Sequence, residues 1–276
     1  MNKMNILILT LTSLSALEGF SPSYNGTNAY ESLAQFGRDP RFIVEDYIKY
    51  FPYYQHYVEN IRLTDTTNID LSTLPYPYNT LSKLLPYNSA GYYVNFKYTA
   101  KLFASNKIVH AIEIGSDLGR STRHIASQLP EGGKLYAVDT WDFTSEGYHN
   151  QRYIPFLSNV VHAGLTDKII PVKKASGLAV EDFKSFPFKF DLIYIDGDHE
   201  TPGALRDLEL YYPLLSSHGV MCGDDWLLKG VRAAVLQFAQ KNQLTVYGAC
   251  NFWFLKNESG FAVKSHLDAD DSAWIF

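Results

Sequence analysis

The segment AIEIGSDLGRST, residues 111–122, places two glycines between an apolar run and a helical pattern. Residues 109–114 have the composition of a buried strand, and residues 118–129 have the periodicity of a helix. Gly115 and Gly119 therefore fall in a strand-to-helix turn, where a ligand can approach backbone N–H groups without meeting a bulky Cβ. This turn predicts the first unit of an α/β fold.

The chain beyond this turn alternates between apolar, β-prone runs and helical patterns. The later runs are residues 134–138, 169–172, 190–195, 219–222, 244–247 and 252–255. Helical patterns lie between these apolar runs. The clearest are residues 118–129, 203–215 and 231–240. This alternation predicts a Rossmann-like, doubly wound, mostly parallel seven-stranded sheet. The last two runs lie too close together for a crossover helix, so we expect an antiparallel C-terminal pair.

Residues 1–20 form an apolar N-terminal segment with a single lysine. Its apolar run, residues 6–17, is too short to cross a bilayer as a helix, so no stable membrane span is expected. The segment resembles the core of a signal peptide, which would make this an exported protein. Alternatively, it packs on the domain or on a second subunit of a homo-oligomer. Cytoplasmic location is the expectation, with export as the alternative.

Residues 21–91 predict an aromatic-rich N-terminal helical cap or lid, ahead of a domain that spans residues 92–276. Asp39 and Pro40 suit the start of a helix. Residues 71–91 are dense in Pro, Asn and Ser and predict a long loop. Most of the 20 tyrosines lie in the first 98 residues. They predict either a wall that binds a sugar or aryl group, or an aromatic-packed cap.

The composition excludes several classes of protein. With 276 residues, of which 46% are hydrophobic and 19% charged, the chain is globular. The net charge of -5 and the absence of a basic cluster argue against a nucleic-acid partner. The two cysteines, Cys222 and Cys250, have no metal-ligand spacing, and we expect both to be buried apolar residues.

Several residues near the glycine turn suit a nucleotide-like cofactor. The dinucleotide fingerprint requires glycine at position 117, and Asp117 stands there, which disfavours NAD. The second apolar run ends in LYAVDTWDF, residues 135–143, where the Asp139 carboxylate suits a ribose diol. Trp141 either stacks on adenine, walls off the substrate or packs in the core. The alternative for the glycines is that they serve only tight packing.

Acidic residues follow two later runs, in FDLIYIDGDHE, residues 190–200, and in GVMCGDDW, residues 219–226. If the two strands are neighbours in a parallel sheet, their ends lie about 5 Å apart and the carboxylates converge. A hard divalent cation, Mg²⁺ above all and Ca²⁺ or Mn²⁺ as alternatives, would hold Asp196, Asp224 and Asp225 together. The alternative is that these acids cap the following helices and face solvent.

Two of these segments resemble a known enzyme family. Residues 111–122 resemble the E-x-G-x-x-x-G signature of class I S-adenosylmethionine-dependent methyltransferases. Residues 191–226 resemble the core of the macrocin and other sugar O-methyltransferases and, more distantly, of the metal-dependent catechol O-methyltransferases. The likeness covers roughly residues 109–226 and leaves out the N-terminal ninety residues, which would supply most acceptor contacts.

The resemblance implies a role for each group of residues. Glu113 would help hold the ammonium end of the cofactor, Asp196, Asp224 and Asp225 would bind the metal, and His199 or Asp198 would be the base. The cofactor contacts expected are Glu113, Gly115, Ser116, Gly119, Ser121, Asp139, Thr140, Trp141, Ser176 and Asp196.

The expected function is methylation of a small hydroxylated acceptor, a sugar or a secondary metabolite, by S-adenosyl-L-methionine. A bound Mg²⁺ would lower the pKa of the acceptor hydroxyl, and the base would remove its proton. Three alternatives stay open. They are a metal-independent methyltransferase with another acceptor, an inactive or exported binding protein with a nucleotide fold, and a dehydrogenase.

Overall fold

The computed structural model describes residues 62–89, 91, 93–145, 148–258 and 260–265. Residues 1–20 and the helix predicted after Asp39 and Pro40 lie outside the described residues. Within the described ranges, no helix is both long and apolar enough to cross a membrane.

Helices and strands alternate through the described residues as the sequence predicts. The α-helices are α1 Phe96–Ser105, α2 Arg120–Gln128, α3 Tyr153–His162, α4 Ser176–Lys184, α5 Thr201–Tyr211 and α6 Lys229–Asn242. The strands are β1 His110–Ile114, β2 Lys134–Asp139, β3 Asp142–Ser145, β4 Tyr148–Gln151, β5 Ile169–Lys173, β6 Phe190–Ile195, β7 Leu215–Gly223, β8 Thr245–Ala249, β9 Phe252–Lys256 and β10 Ala262–Ser265.

One sheet of eight strands organises the described part of the chain, in the order β10-β8-β9-β7-β6-β1-β2-β5. The strands from β7 to β5 run parallel, and β9 is antiparallel to both β7 and β8. The Rossmann-like parallel sheet and the antiparallel C-terminal pair are therefore confirmed. The count of seven strands is wrong, because β10 adds an eighth strand parallel to β8. This short strand is exposed along most of its length, so its sequence lacks the apolar alternation that predicts a strand.

The two faces of the sheet are covered by different sets of helices, which makes the fold doubly wound. Buried side chains of α1, α2 and α3 pack on one face, and those of α4, α5 and α6 pack on the other. Representative residues are Leu102, Ile125 and Val160 on the first face, and Val180, Leu208 and Val235 on the second.

Residues 62–89 and 91, called the strap below, lie against the first face of the sheet. They contain two short 3₁₀ turns, Leu71–Thr73 and Tyr78–Thr80, and no α-helix. The long loop predicted from residue 71 is therefore confirmed, whereas the predicted helical character is absent from this described part of the cap. Tyr78 is buried in the same core as the sheet, and its hydroxyl donates to the Ile169 carbonyl at 2.8 Å. The strap thus shares the core of the domain that follows it.

Candidate active site

Parallel register brings the predicted site residues to one edge of the sheet. Ile114 of β1 pairs with Ile195 of β6, which in turn pairs with Gly223 of β7. The residues that follow these three positions, including Asp196 and Asp224, therefore emerge side by side at the carboxyl ends of the strands. The neighbouring strands inferred from the sequence are confirmed.

Both glycines of the turn are required by packing. Gly115 has a φ of +86°, and a Cβ on it would lie 1.8 Å from the backbone oxygen of Asp196. Gly119 has a φ of +79°, and a Cβ there would lie 2.8 Å from the Phe156 ring. Tight packing thus accounts for both residues without a ligand, and their contact with a cofactor stays a prediction.

Glu113 lies fully buried at the end of β1. The Ser116 hydroxyl donates to its Oε2 at 2.7 Å, and the Thr122 hydroxyl donates to the same atom. Burial raises the pKa of Glu113 to about 6, against the hydrogen bonds from Ser121, Thr122 and Ser116 that lower it. Its Oε1 has no hydrogen-bond partner among the described residues. A buried carboxylate oxygen without a donor fits the ammonium group of an amino-acid moiety.

Asp139, at the end of β2, accepts two backbone hydrogen bonds. Its Oδ2 accepts from the Asp117 N–H at 2.9 Å, and its Oδ1 accepts from the Trp141 N–H at 2.7 Å. Each carboxylate oxygen has capacity for a further donor, such as a ribose hydroxyl. Asp139 therefore fixes the glycine turn against β2, while the predicted ribose contact stays a prediction. Thr140 beside it is exposed.

Trp141 packs inside the protein, with 1% of its surface exposed. Its ring contacts Tyr153 and Phe156 at centroid distances of 4.9 and 4.7 Å, and its Nε1 donates to the Asp117 carbonyl at 2.7 Å. These contacts favour the packing alternative over stacking on adenine. Asp117 also forms an ion pair with Arg152, a residue that the sequence did not single out.

Ser176 begins α4, and α5 holds it at two points. The Ser176 hydroxyl donates to Asp207 Oδ1 at 2.6 Å, and the Tyr211 hydroxyl donates to the Ser176 carbonyl at 2.8 Å. Asp207 and Tyr211 are one helical turn apart, so they lie on the same face of α5. Sequence reasoning missed Asp207, because its burial against Ser176 is visible only in the structure.

Asp196, His199 and Asp225 come together as a potential metal-binding group. One ligand atom from each lies within 4.8 Å of the others, and His199 Nε2 is 2.8 Å from Asp225 Oδ2. Asp224 is 2% exposed, and its Oδ1 accepts from the Asp225 N–H at 2.7 Å and from the Asn251 amide. Asp196 and Asp225 thus converge as predicted. The third member of the group is His199, while the predicted ligand Asp224 is bonded to the turn between β8 and β9.

Burial and the proximity of the carboxyl groups shift the pKa values in this acidic group. Burial raises the pKa of Asp196 well above its usual range, and the neighbouring carboxylates of Asp224 and Asp225 add to the shift. Burial and the Asp225 carboxylate raise the pKa of Asp224 to about 8. The hydrogen bond to Asp225 raises the pKa of His199. A cation would relieve this repulsion, and two carboxylates with an imidazole are a donor set that fits a divalent metal.

Asp198, the alternative base, is part of the turn that starts α5. Its Oδ1 accepts from the Glu200 N–H at 2.9 Å, and a Cβ on Gly203 would lie 1.9 Å from its Oδ2. This hydrogen bond forms an Asx turn just before α5. The His199 side chain keeps 49% of its surface exposed and can be reached by a ligand.

Two buried asparagines lie near Asp224, and the sequence did not predict either of them as a site residue. Asn251 donates to Asp224 from the turn between β8 and β9. Asn95, at the start of α1, donates to the Tyr194 hydroxyl at 3.0 Å, and its Oδ1 has no partner among the described residues. Both lie far from Asp224 in sequence, and no local pattern marks them.

Residues 112–226 match the family model described as a methyltransferase domain. The match covers less than half of the chain. The enzyme class predicted from the sequence, an S-adenosylmethionine-dependent methyltransferase, is therefore confirmed. No curated protein matches the chain significantly.

Several solved structures are similar to this chain in fold. An O-methyltransferase from Bacillus cereus, in complex with SAH, is 18% identical with a TM-score of 0.49, covering 63% of this chain and 84% of that one. A proposed O-methyltransferase from Klebsiella pneumoniae is 19% identical with a TM-score of 0.49, covering 62% and 84%. A proposed caffeoyl-CoA O-methyltransferase from Staphylococcus aureus is 15% identical with a TM-score of 0.47, covering 61% and 85%. Likenesses this low carry no argument about the acceptor.

Proposed function

We propose that this methyltransferase transfers the methyl group of S-adenosylmethionine to a hydroxyl oxygen of a small acceptor, with the help of a divalent cation. The observation that carries the proposal is the group formed by Asp196, His199 and Asp225 beside the glycine turn. The Asp196 backbone is in direct contact with Gly115, so a metal-bound hydroxyl and the cofactor would be neighbours.

Methyl transfer needs residues that bind S-adenosylmethionine and orient its methyl group. The glycine turn would receive the methionine moiety, the free oxygen of Glu113 its ammonium group, and Asp139 the ribose. The sulfonium is already a good leaving group, so the protein has mainly to align the acceptor oxygen with the methyl carbon. The new O–CH₃ bond forms as the S–CH₃ bond breaks, and S-adenosylhomocysteine leaves.

The acceptor proton has to be removed during the transfer. A divalent cation held by Asp196 and Asp225 would lower the pKa of a coordinated hydroxyl. His199 would accept the proton at Nδ1, because its Nε2 is bonded to Asp225, which orients the ring. The geometry also permits His199 to be a third metal ligand, and an experiment has to distinguish the two roles.

The test is calorimetric titration of the purified protein with S-adenosylhomocysteine, with NAD, and with MgCl₂ or MnCl₂. We expect S-adenosylhomocysteine to bind and NAD not to bind. Metal binding should be lost in Asp196→Asn and in Asp225→Asn, and kept in the exposed control Asp167→Asn. Retention of the metal in His199→Gln would support the base, and its loss would make His199 a ligand. If methyl transfer survives EDTA and Asp196→Ala, the metal is not required.

A second candidate is methyl transfer without a metal. The hydrogen bond between His199 and Asp225 favours it, because a carboxylate–imidazole pair can accept a proton without a cation. In that case EDTA would leave the rate unchanged, and His199→Gln would abolish it.

For location we propose the cytoplasm, where the cofactor is made. Mass spectrometry of the native N-terminus tests this proposal. A chain that starts near Ala16 would indicate export and would overturn it.

A further inference from the structure

The end of the strap is joined to α3 by a buried asparagine. Asn159 is fully buried; its Oδ1 accepts from the Asn88 N–H at 2.8 Å, and its Nδ2 donates to the Asn88 carbonyl at 2.9 Å. One side-chain amide thus pairs with both backbone groups of Asn88. This double contact fixes the position of the strap residue relative to α3.

The same asparagine reaches the glycine turn. Asn159 Nδ2 also donates to the Leu118 carbonyl at 2.9 Å, and Arg123 Nη1 donates to that carbonyl at 2.8 Å. On the other side of this peptide, the Gly119 N–H donates to the Ser116 carbonyl at 2.7 Å. The peptide between residues 118 and 119 is therefore held from both sides.

The second donor to Leu118 is also connected to the strap. Arg123 Nη2 donates to the Tyr87 hydroxyl at 3.0 Å, and the guanidinium lies 5.2 Å from the centre of the Tyr87 ring. Arg123, like Asn159, is fully buried. Both groups that hold the Leu118 carbonyl are thus themselves held by consecutive strap residues, Tyr87 and Asn88.

We propose that Asn159 is a positioning residue for cofactor binding. It acts through the Leu118 carbonyl and sets the backbone of the glycine turn only when the end of the strap is seated against α3. The proposal rests on the proposed binding of the cofactor by this turn, and Asn159 itself is not expected to touch the cofactor.

Asn159→Ala and Ser158→Ala form a matched pair of variants for the test. Ser158 is the adjacent buried residue, and its hydroxyl accepts from the Leu85 N–H at 3.2 Å, so it contacts the strap but not the glycine turn. Of the three hydrogen bonds that Asn159→Ala removes, the one to the Leu118 carbonyl bears on the glycine turn, and its loss should weaken S-adenosylhomocysteine binding about tenfold. It should raise the KM for S-adenosylmethionine with little change in kcat. Ser158→Ala should bind S-adenosylhomocysteine as the wild type does.

Tyr87→Phe keeps the test decisive if Asn159→Ala does not fold. It removes the hydroxyl bonded to Arg123 and leaves the ring in place, so we expect a weakening of about twofold to threefold. If Asn159→Ala folds and binds S-adenosylhomocysteine with wild-type affinity, the proposal is overturned. If Asn159→Ala does not fold, wild-type affinity in Tyr87→Phe overturns it. An equal loss of affinity in Ser158→Ala would also overturn it. If the wild-type protein does not bind S-adenosylhomocysteine, the cofactor assignment fails instead.

Discussion

At the residue scale, burial decides the ionisation of Glu113. Glu113 has a pKa of about 6 in the folded protein, above its ordinary value of 4.5, because burial outweighs three hydroxyl hydrogen bonds. Between these two values the folded state binds more protons than the unfolded state. The free energy of unfolding should therefore fall as the pH rises through this window.

Replacement of Glu113 by Gln tests this linkage. The shift of the Glu113 pKa corresponds to a loss of about 2 kcal/mol between pH 4.5 and 6. In Glu113→Gln this part of the pH dependence should be absent, as measured by urea unfolding across the window. The exposed control Glu131→Gln should keep the wild-type slope. An unchanged slope in Glu113→Gln would show that Glu113 does not titrate in this range.

The other carboxylates of the site differ in how many hydrogen bonds they accept from the protein. Asp139 and Asp224 each accept backbone hydrogen bonds, so they shape the loops in which they lie. Asp196 lies in a group whose carboxylates repel one another. A bound cation would reduce this repulsion at Asp196, which agrees with the place of Asp196 in the proposed metal site.

At the scale of elements, the contact between the ends of β1 and β6 is the tightest constraint on the site. Gly115→Ala would bring a Cβ to 1.8 Å from the Asp196 backbone at a φ of +86°. We expect the variant to lose about 3 kcal/mol or more of unfolding free energy, or not to fold, because backbone cannot move aside as a side chain can.

Gly177→Ala is the control for that substitution. Gly177 lies in α4, where a Cβ would meet nothing within 4 Å. Alanine there should leave stability unchanged or raise it by up to about 1 kcal/mol, from its higher helix propensity. Chemical unfolding of both variants gives the comparison. Equal stabilities would mean that the end of β6 can shift to accommodate the methyl group.

At the scale of the whole molecule, the strap is held by residues distant in sequence. His162 lies at the end of α3, and both nitrogens of its ring contact the strap. Its Nδ1 is 3.2 Å from the Thr66 hydroxyl, and its Nε2 is 2.8 Å from the Leu85 carbonyl. His162 has no ligand-like spacing in the sequence, so only the structure identifies these contacts.

His162→Ala should release the strap without unfolding the sheet. We expect cleavage within residues 62–89 to become several-fold faster in limited proteolysis. The free energy of local opening of the strap falls, while the core of the sheet stays intact. The exposed control His218→Ala should be cleaved at the wild-type rate. Mass spectrometry of the fragments locates the cuts. Unchanged cleavage of His162→Ala would mean that the other contacts of the strap, among them those of Tyr78 and Asn88, are sufficient to hold it in place.

The sequence by itself determined the parallel sheet, the glycine turn and the edge at which the acids gather. These features follow from local periodicity and from the rule that parallel strands end at a common edge. The alternation of apolar runs puts Asp196 and Asp225 after two strands, and their convergence follows once these strands are neighbours in the sheet.

Only the tertiary structure decided which side chains face one another. Asp224 is bonded to Asn251, which belongs to a turn 27 residues further along the chain, and this leaves His199 to join Asp196 and Asp225. Trp141 likewise packs on α3, against residues that are distant from it in sequence. The direction of a side chain at a strand end depends on partners supplied by distant segments, and such contacts leave no periodic signal in the sequence.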